Sequence, residues 1–268
     1  LGTLLIFFVY VKTKGEHMAI NANTGNPIQI VPLFGAGGVG VAAAAPQLTY
    51  RGGPLISNAQ VFTVFWGQAW TQAPQSDLIQ QINAFFDYIL TSALIDQLAE
   101  YSTQTQTIGH GSRIGTATVT TPDPGQSVTD ADIQNMLQNQ IANNTAFPQP
   151  NANTLYFVSF PSGVTVEQGG GGSCQTFCGY HDNINGQIFY AVEPHPDCSG
   201  CTANMAVFDA LTNTSSHELC EAITDPVPGQ GWYDDANGEI GDICAWQTKQ
   251  VGTYTVQKEW SDNSQSCV

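Results

Sequence analysis

Seven cysteines crowd into the last 95 residues of this chain and none precedes them: Cys174, Cys178, Cys198, Cys201, Cys220, Cys244 and Cys267. Any fold of the C-terminal part must bring most of these thiols together in pairs or around an ion. The spacings Cys174-x3-Cys178 and Cys198-x2-Cys201 suit either a four-cysteine zinc knuckle or disulfides. The background is acidic, poor in lysine and rich in Asn and Thr, which fits an oxidising compartment and favours disulfides. Spacing does not fix the connectivity. Cys244 with Cys267 is the favoured pair, because it ties the C-terminus down. Cys220 is then the odd thiol, buried and inert. Asn143-Asn144-Thr145 and Asn213-Thr214-Ser215 are glycosylation sequons.

Charge narrows the partners. Six Lys+Arg stand against 22 Asp+Glu, a formal net charge of -16. Phosphate backbones and anionic lipid surfaces both require basic residues, so nucleic acid and membrane surfaces are disfavoured. Hydrophobic residues make up 42% of the 268, enough for a folded domain with a real core. The apolar stretch from Leu4 to Val11 is too short to span a bilayer. It has no basic region before it, and Lys12 and Lys14 follow it, so it is not a clean signal peptide. An edge strand or an unstructured extension is the reading for it, and Met18 is an alternative native start. The small-residue run from Gly35 to Ala45 reads as a linker. The expected organisation is an extension over 1–45 and one α+β domain over 46–268, disulfide-rich at its C-terminal end.

Within that domain, strand and helix patterns alternate. Gln60 to Trp66 is apolar and β-branched, a strand. Ser76 to Leu90 carries apolar residues at helical spacing, with Ser76 as a plausible N-cap, and Ser92 to Tyr101 continues helically. Arg113 to Thr121 alternates as a strand, and Thr129 to Ala142 is a helix capped by Thr129 or Asp130. Leu155 to Phe160 is a buried strand, Gln168 to Ser173 a mobile glycine loop, and Gln187 to Val192 another strand. Ala206 to Ile223 is the last helix, and Asp225-Pro226 ends it. This order is that of a zincin-like mixed β-sheet with packed helices.

The last helix carries the chemistry. Ser216-His217-Glu218-Leu219-Cys220-Glu221-Ala222 reads H-E-x-x-E, one residue from the H-E-x-x-H of zinc hydrolases. On a helix, His217 and Glu221 share a face and suit one metal ion. Glu218 occupies the place of the general base. A catalytic zinc takes three protein ligands. The third is sought in Glu239 or Asp242 of the acidic stretch Trp232 to Asp242, or in His181 or His195. One histidine among carboxylates is an oxygen-rich set, so Ca2+ is the alternative to Zn2+, with manganese also competitive. Asp235-x-Asn237-Gly238 resembles half of a calcium loop. Tyr233 is a candidate oxyanion donor. His110 is a turn histidine between glycines. No G-x-S-x-G elbow is present, and no G-K-[ST] follows the glycines at 169–172.

At these residues the chain resembles the phosphate-induced protein 1 / EXORDIUM-like family. The resemblance rests on Gly109-His110-Gly111-Ser112, Phe177-Cys178-Gly179-Tyr180-His181, Cys198-Ser199-Gly200-Cys201, the H-E-x-x-E segment, Thr224-Asp225-Pro226, Gly231-Trp232-Tyr233 and Glu239-Ile240-Gly241-Asp242-Ile243-Cys244. It spans roughly residues 50 to 268. It implies secretion and a disulfide-bearing domain, in a family known through growth and cell-expansion phenotypes rather than a settled reaction.

The expected function is a secreted zinc metallopeptidase acting on a peptide or protein substrate. His217 and Glu221 hold the metal, Glu239, Asp242 or His181 complete its shell, and Glu218 and Tyr233 serve catalysis. The alternative is a non-catalytic extracellular module on a degenerate zincin fold. In it Trp66, Trp70, Trp232 and Trp246 face cell-wall or extracellular carbohydrate, or a protein partner. A third reading pairs Glu218 with Asp225 as metal-free acid and base.

Overall fold

The computed structural model describes residues 30–35 and 45–268. The expectations for the apolar N-terminal stretch and for most of the small-residue linker lie outside the described residues. In chain order the elements are β1 (Ile30–Pro32), β2 (Thr49–Tyr50), β3 (Asn58–Trp66), α1 (Gln75–Ile89), α2 (Ala93–Gln97), β4 (Gly109–Val119), β5 (Ser127–Thr129), α3 (Asp130–Asn143), β6 (Thr154–Ser159), β7 (Thr165–Gln168), β8 (Gly171–Gly172), β9 (Phe177–Ile184), β10 (Ile188–Glu193), α4 (Ser199–Thr202), α5 (Val207–Thr224), β11 (Trp232–Tyr233), β12 (Thr248–Val251), β13 (Tyr254–Gln257), β14 (Trp260–Ser261) and β15 (Ser266–Cys267).

The main sheet is mixed, in the order β1-β9-β10-β6-β3-β4. Strands β4, β3, β6 and β10 run parallel, while β9 is antiparallel to β10 and β1 antiparallel to β9. Ile30–Pro32 thus forms the sheet edge, although the sequence expectation assigned it to the extension. Both faces of the sheet's central strands are covered, which is why β3 and β6 are apolar and buried along most of their length, while the edge strand β4 alternates with exposed residues. Successive residues point to opposite faces. Val61, Phe65, Leu155, Phe157, Phe189 and Ala191 pack with α1 and α5. Phe62, Val64, Tyr156, Val158, Tyr190 and Val192 pack with α3.

The elements start and stop for local reasons. Helix α3 opens on a capping box, in which Thr129 Oγ1 accepts from Asp132 N and Asp132 Oδ2 accepts from Thr129 N. Helix α1 has no side-chain cap. Pro74 occupies the cap position that was expected of Ser76, so that the helix begins at Gln75. Ser92 caps α2, and the chain then tightens into a 3-10 turn over Leu98–Tyr101. The glycine segment expected to be a mobile loop is an ordered β7–β8 hairpin. Ser173 Oγ accepts from Val166 N at 3.0 Å and Ser173 N donates to Val166 O at 2.8 Å. Strands β9 and β10 join through Asn185-Gly186, both at positive φ, the conformation such a hairpin demands.

Three disulfides join Cys174 to Cys198, Cys178 to Cys201 and Cys244 to Cys267. Cys220 is free and buried inside α5. The four cysteines of the possible zinc knuckle are all consumed by two of these bridges. The disulfides fit an extracellular setting. Among the described residues no single helix is long and apolar enough to cross a membrane. Of the two sequons, Asn143 is exposed, while Asn213 is fully buried in α5 and out of reach of a glycan.

Candidate metal centre

Helix α5 is buried along almost its whole length, from Ala210 to Thr224. It lies between the sheet and the β12–β13 hairpin, so its polar face has nowhere to go but inward. His217, Glu218 and Glu221 are each 0% exposed. The helix stops at Asp225, before Pro226. The Asp225 carboxylate accepts N–H bonds from Gly229, Gln230 and Gly231 and folds the next segment back over the helix end.

Strand β9 supplies His181. Alternation turns Tyr180 toward α3, where its hydroxyl donates to Asp130 at 2.7 Å, and turns Gly179 and His181 toward α5. Gly179 makes the close approach possible. A Cβ there would stand 2.7 Å from Thr214 Cγ2 and 3.2 Å from Glu218 Oε1.

The turn at 239–242 closes the group. Asp242 Oδ2 accepts from Glu239 N at 3.0 Å, and Asp242 N donates to Glu221 Oε1 at 3.1 Å. Gly241 lies against the helix, where a Cβ would come within 2.8 Å of both Glu221 Oε1 and His217 Nδ1.

The polar atoms converge without fully satisfying one another. His217 Nε2 is 2.9 Å from Glu221 Oε1, and His181 Nδ1 is 3.2 Å from Glu218 Oε2 and 3.5 Å from Glu221 Oε2. His181 Nε2 is 3.1 Å from the Asp225 carbonyl and 3.6 Å from Glu239 Oε1. Glu218 Oε1 has no hydrogen-bond partner, Glu221 Oε2 has only the 3.5 Å contact to His181, His217 Nε2 faces only Glu221, and Glu239 shares a hydrogen bond with the Asp225 carboxyl. Burial works against a charged His181 ring, but the carboxylates of Glu218 and Glu221 outweigh it and lift its pKa to about 10. Burial also opposes ionisation of Glu221, and the His217 charge overcomes it and holds the carboxyl at about 2. Glu239 and Asp242 are pushed well up, first by burial and then by the charge of Glu221.

Two residue groups here are placed to hold a metal ion: His181 with Glu221 and Glu239, and His217 with Glu221 and Asp242. All five expected ligands therefore meet in one place. Glu218 lies among them, hydrogen-bonded to His181. Tyr233 lies nearby on β11, where Glu239 and Asp242 add to the burial that raises its pKa and the Arg51 guanidinium sits over its ring.

Gln257 was not anticipated. Its amide oxygen accepts from Trp246 N, and its amide nitrogen faces Gly241 O at 2.9 Å and His217 Nδ1 at 2.8 Å. It therefore sets the tautomer of His217. No local signal marked it, since burial along β13 does not alternate. Glu193 and Glu259 are further buried carboxyls, held up in pKa by burial, and Glu193 accepts the Ser215 hydroxyl.

Other candidates fall elsewhere. His195 pairs with Asp197 at 2.8 Å and His110 with Asp96 at 2.8 Å. The half calcium loop is turned toward protein donors. Asp234 accepts from Ala236 N and Asn237 N, and Asp235 pairs with Arg51. Of the four candidate tryptophans, Trp66 and Trp70 are buried and Trp232 and Trp246 are half-buried. Trp66 and Trp70 are 3% and 2% exposed, Trp232 packs between Tyr50 and Tyr101, and Trp246 packs on Phe34.

No family model matches this chain, and no curated protein sequence matches it.

Proposed function

We propose that this chain is an extracellular metal-binding domain of zincin-like architecture, in which the centre around His217 and Glu221 has a structural role. The sheet order, with antiparallel β9 beside parallel β10 and α5 packed across them, supports the architecture. The disulfides and the resemblance to the EXORDIUM-like proteins support the compartment.

One observation carries the reading. Carboxyl and imidazole groups of Glu221, Glu239 and His217 converge, fully buried, with little but one another, His181 and the Asp225 carboxyl for partners. Burying an ionised group costs several kcal/mol, and here the acidic groups outnumber the imidazoles that face them. A divalent cation removes that cost. His217, Glu221, His181, Glu239 and Asp242 offer imidazole and carboxylate donors, a set that suits zinc and manganese. When bound, the cation supplies positive charge to the cluster and, at a position open to solvent, Lewis acidity. Structural zinc sites are closed and catalytic ones keep an open position. Here His181, His217, Glu221 and Glu239 are each 0% exposed. The centre thus ties α5 to β9 and to the 239–242 turn.

The test is metal content by mass spectrometry on protein purified without chelator or histidine tag, followed by calorimetry after chelation. Bound transition metal and a lower melting temperature on its removal are expected. Metal-free native protein with an unchanged melting temperature would overturn the reading.

A second reading, a zinc metallopeptidase, is favoured by Glu218. Its Oε1 is unpartnered and its Oε2 is held by His181, as a proton acceptor beside the ligand set requires. Glu218 is 0% exposed, so a peptide reaches it only after the surrounding structure moves. Glu218→Gln should then keep the metal and abolish peptide cleavage. Cleavage by the variant at the wild-type rate would sink this role.

A further inference from the structure

We infer that the centre is dinuclear, with the Glu221 carboxylate bridging two cations. This rests on the metal-binding reading above and goes beyond its single ion.

Glu221 belongs to both ligand groups, and its two oxygens address different histidines. Oε1 lies 2.9 Å from His217 Nε2, and Oε2 lies 3.5 Å from His181 Nδ1. Each group then adds one carboxylate of its own, Asp242 on the His217 side and Glu239 on the His181 side. The result is two half-sites of one composition, imidazole plus terminal carboxylate, sharing one bridge. Paired cations in proteins stand about 3.5–4 Å apart, a separation that one carboxylate spans.

Charge points the same way. Glu218, Glu221, Asp225 and Glu239 are fully buried together, with Asp242 half-buried beside them. No Lys or Arg forms an ion pair with any of the five among the described residues. One dication leaves most of that acidity uncompensated in a fully buried place; two bring the cluster close to neutrality with both imidazoles uncharged. The poorly satisfied atoms are distributed to match. His217 Nε2 lies on one side, Glu221 Oε2 and both Glu239 oxygens on the other. A single ion on the His217 side leaves Glu221 Oε2 with a 3.5 Å contact to His181 and Glu239 with the Asp225 carboxyl as its neighbour.

The experiment is reconstitution of the chelator-treated full chain with manganese(II) alone. Stoichiometry is read by mass spectrometry, and the electronic state by electron paramagnetic resonance. Two manganese ions per chain with an exchange-coupled spectrum are expected. His181→Ala and His217→Ala should each reduce the content from two to one and restore the signal of an isolated ion. One ion per wild-type chain with an uncoupled signal would overturn the bridge while leaving the single-ion reading standing. No bound ion would overturn both. The wild-type measurement decides the matter even if a histidine variant fails to fold.

Discussion

His217 and Glu221 stand one helical turn apart, both fully buried, with Nε2 and Oε1 at 2.9 Å. Helical spacing places i and i+4 side by side, so the closeness is expected. Two donors that each sit about 2.0–2.1 Å from a shared ion are themselves about 3 Å apart, with their lone pairs turned to the ion rather than to each other. Gly241 keeps other atoms out of that space.

Gly241→Ala should therefore damage the centre more than the fold. The added methyl must displace Glu221 Oε1, His217 Nδ1 or both, since it would stand 2.8 Å from each. Overpacking of this kind costs about 1–3 kcal/mol. Metal affinity is expected to fall at least about tenfold, as when the surroundings of a ligand are disturbed. Titration with a competing chelating dye, alongside circular dichroism, checks it; wild-type affinity in a folded variant refutes it.

Much of the fold was legible because its signals are local. The apolar run ending at Trp66, the helical spacing of Ile82, Phe85, Phe86 and Ile89, and the Asp225-Pro226 stop each declare an element without help from the rest of the chain. The ligand set was partly legible for the same reason, since His217, Glu218 and Glu221 sit on one helix. What escaped depends on partners distant in sequence. Strand β1 is recognisable only through its pairing with β9, and Gln257 matters only because β13 lies against α5. The Asn185-Gly186 turn was a local signal for β9, and with it for His181, that went unread. The burial of Trp66 and Trp70 was not foreseen, because ring size says nothing of which side of an element faces water.

Removal of the Cys244–Cys267 bridge by a double serine substitution should loosen the turn that presents Asp242. The bridge closes a separation of 23 residues. Loops of that size contribute about 3 kcal/mol, mainly by restricting the unfolded chain. For a chain of this size, that corresponds to a melting temperature lower by about 6–12 °C. Asp242 begins the 3-10 turn that ends at Cys244, so metal affinity should fall as well. Calorimetry of the metal-loaded and chelated forms separates the two effects, and an unchanged melting temperature in both would contradict the argument.

Acid should expose the contribution of Asp197. Burial by itself would raise its pKa, but hydrogen bonds from Gly163 N at 2.8 Å and Ser162 Oγ at 2.7 Å, with His195 beside it, hold it below the usual carboxylate range. The folded pKa is depressed, so the stabilisation is fully present above the unfolded value of about 3.9 and is lost as pH falls through the lower folded value. Asp197→Asn should be less stable than wild type at pH 6, and the gap should close in strong acid. Urea unfolding of both proteins at pH 6 and pH 2.5 reads it directly. A gap that stays constant, or widens in acid, would contradict the sign.

Gln257 positions His217, and its amide orientation is linked to the ring's proton. With the amide nitrogen facing Nδ1, that atom is an acceptor and the proton of a neutral ring lies on Nε2, toward Glu221. A cation at Nε2 requires the proton on Nδ1 and an acceptor opposite it. Gln257→Glu supplies such an acceptor at the same reach and should preserve or tighten metal binding. Gln257→Met has similar volume and no polar atom; it removes the N–H that opposes a protonated Nδ1 but supplies no acceptor, and should bind about 10–100-fold more weakly than Gln257→Glu while not falling below wild type. Isothermal titration of the two variants with zinc provides the comparison. Equal affinities would mean that the ring is held by packing alone and that the amide has no part in preparing it for the ion.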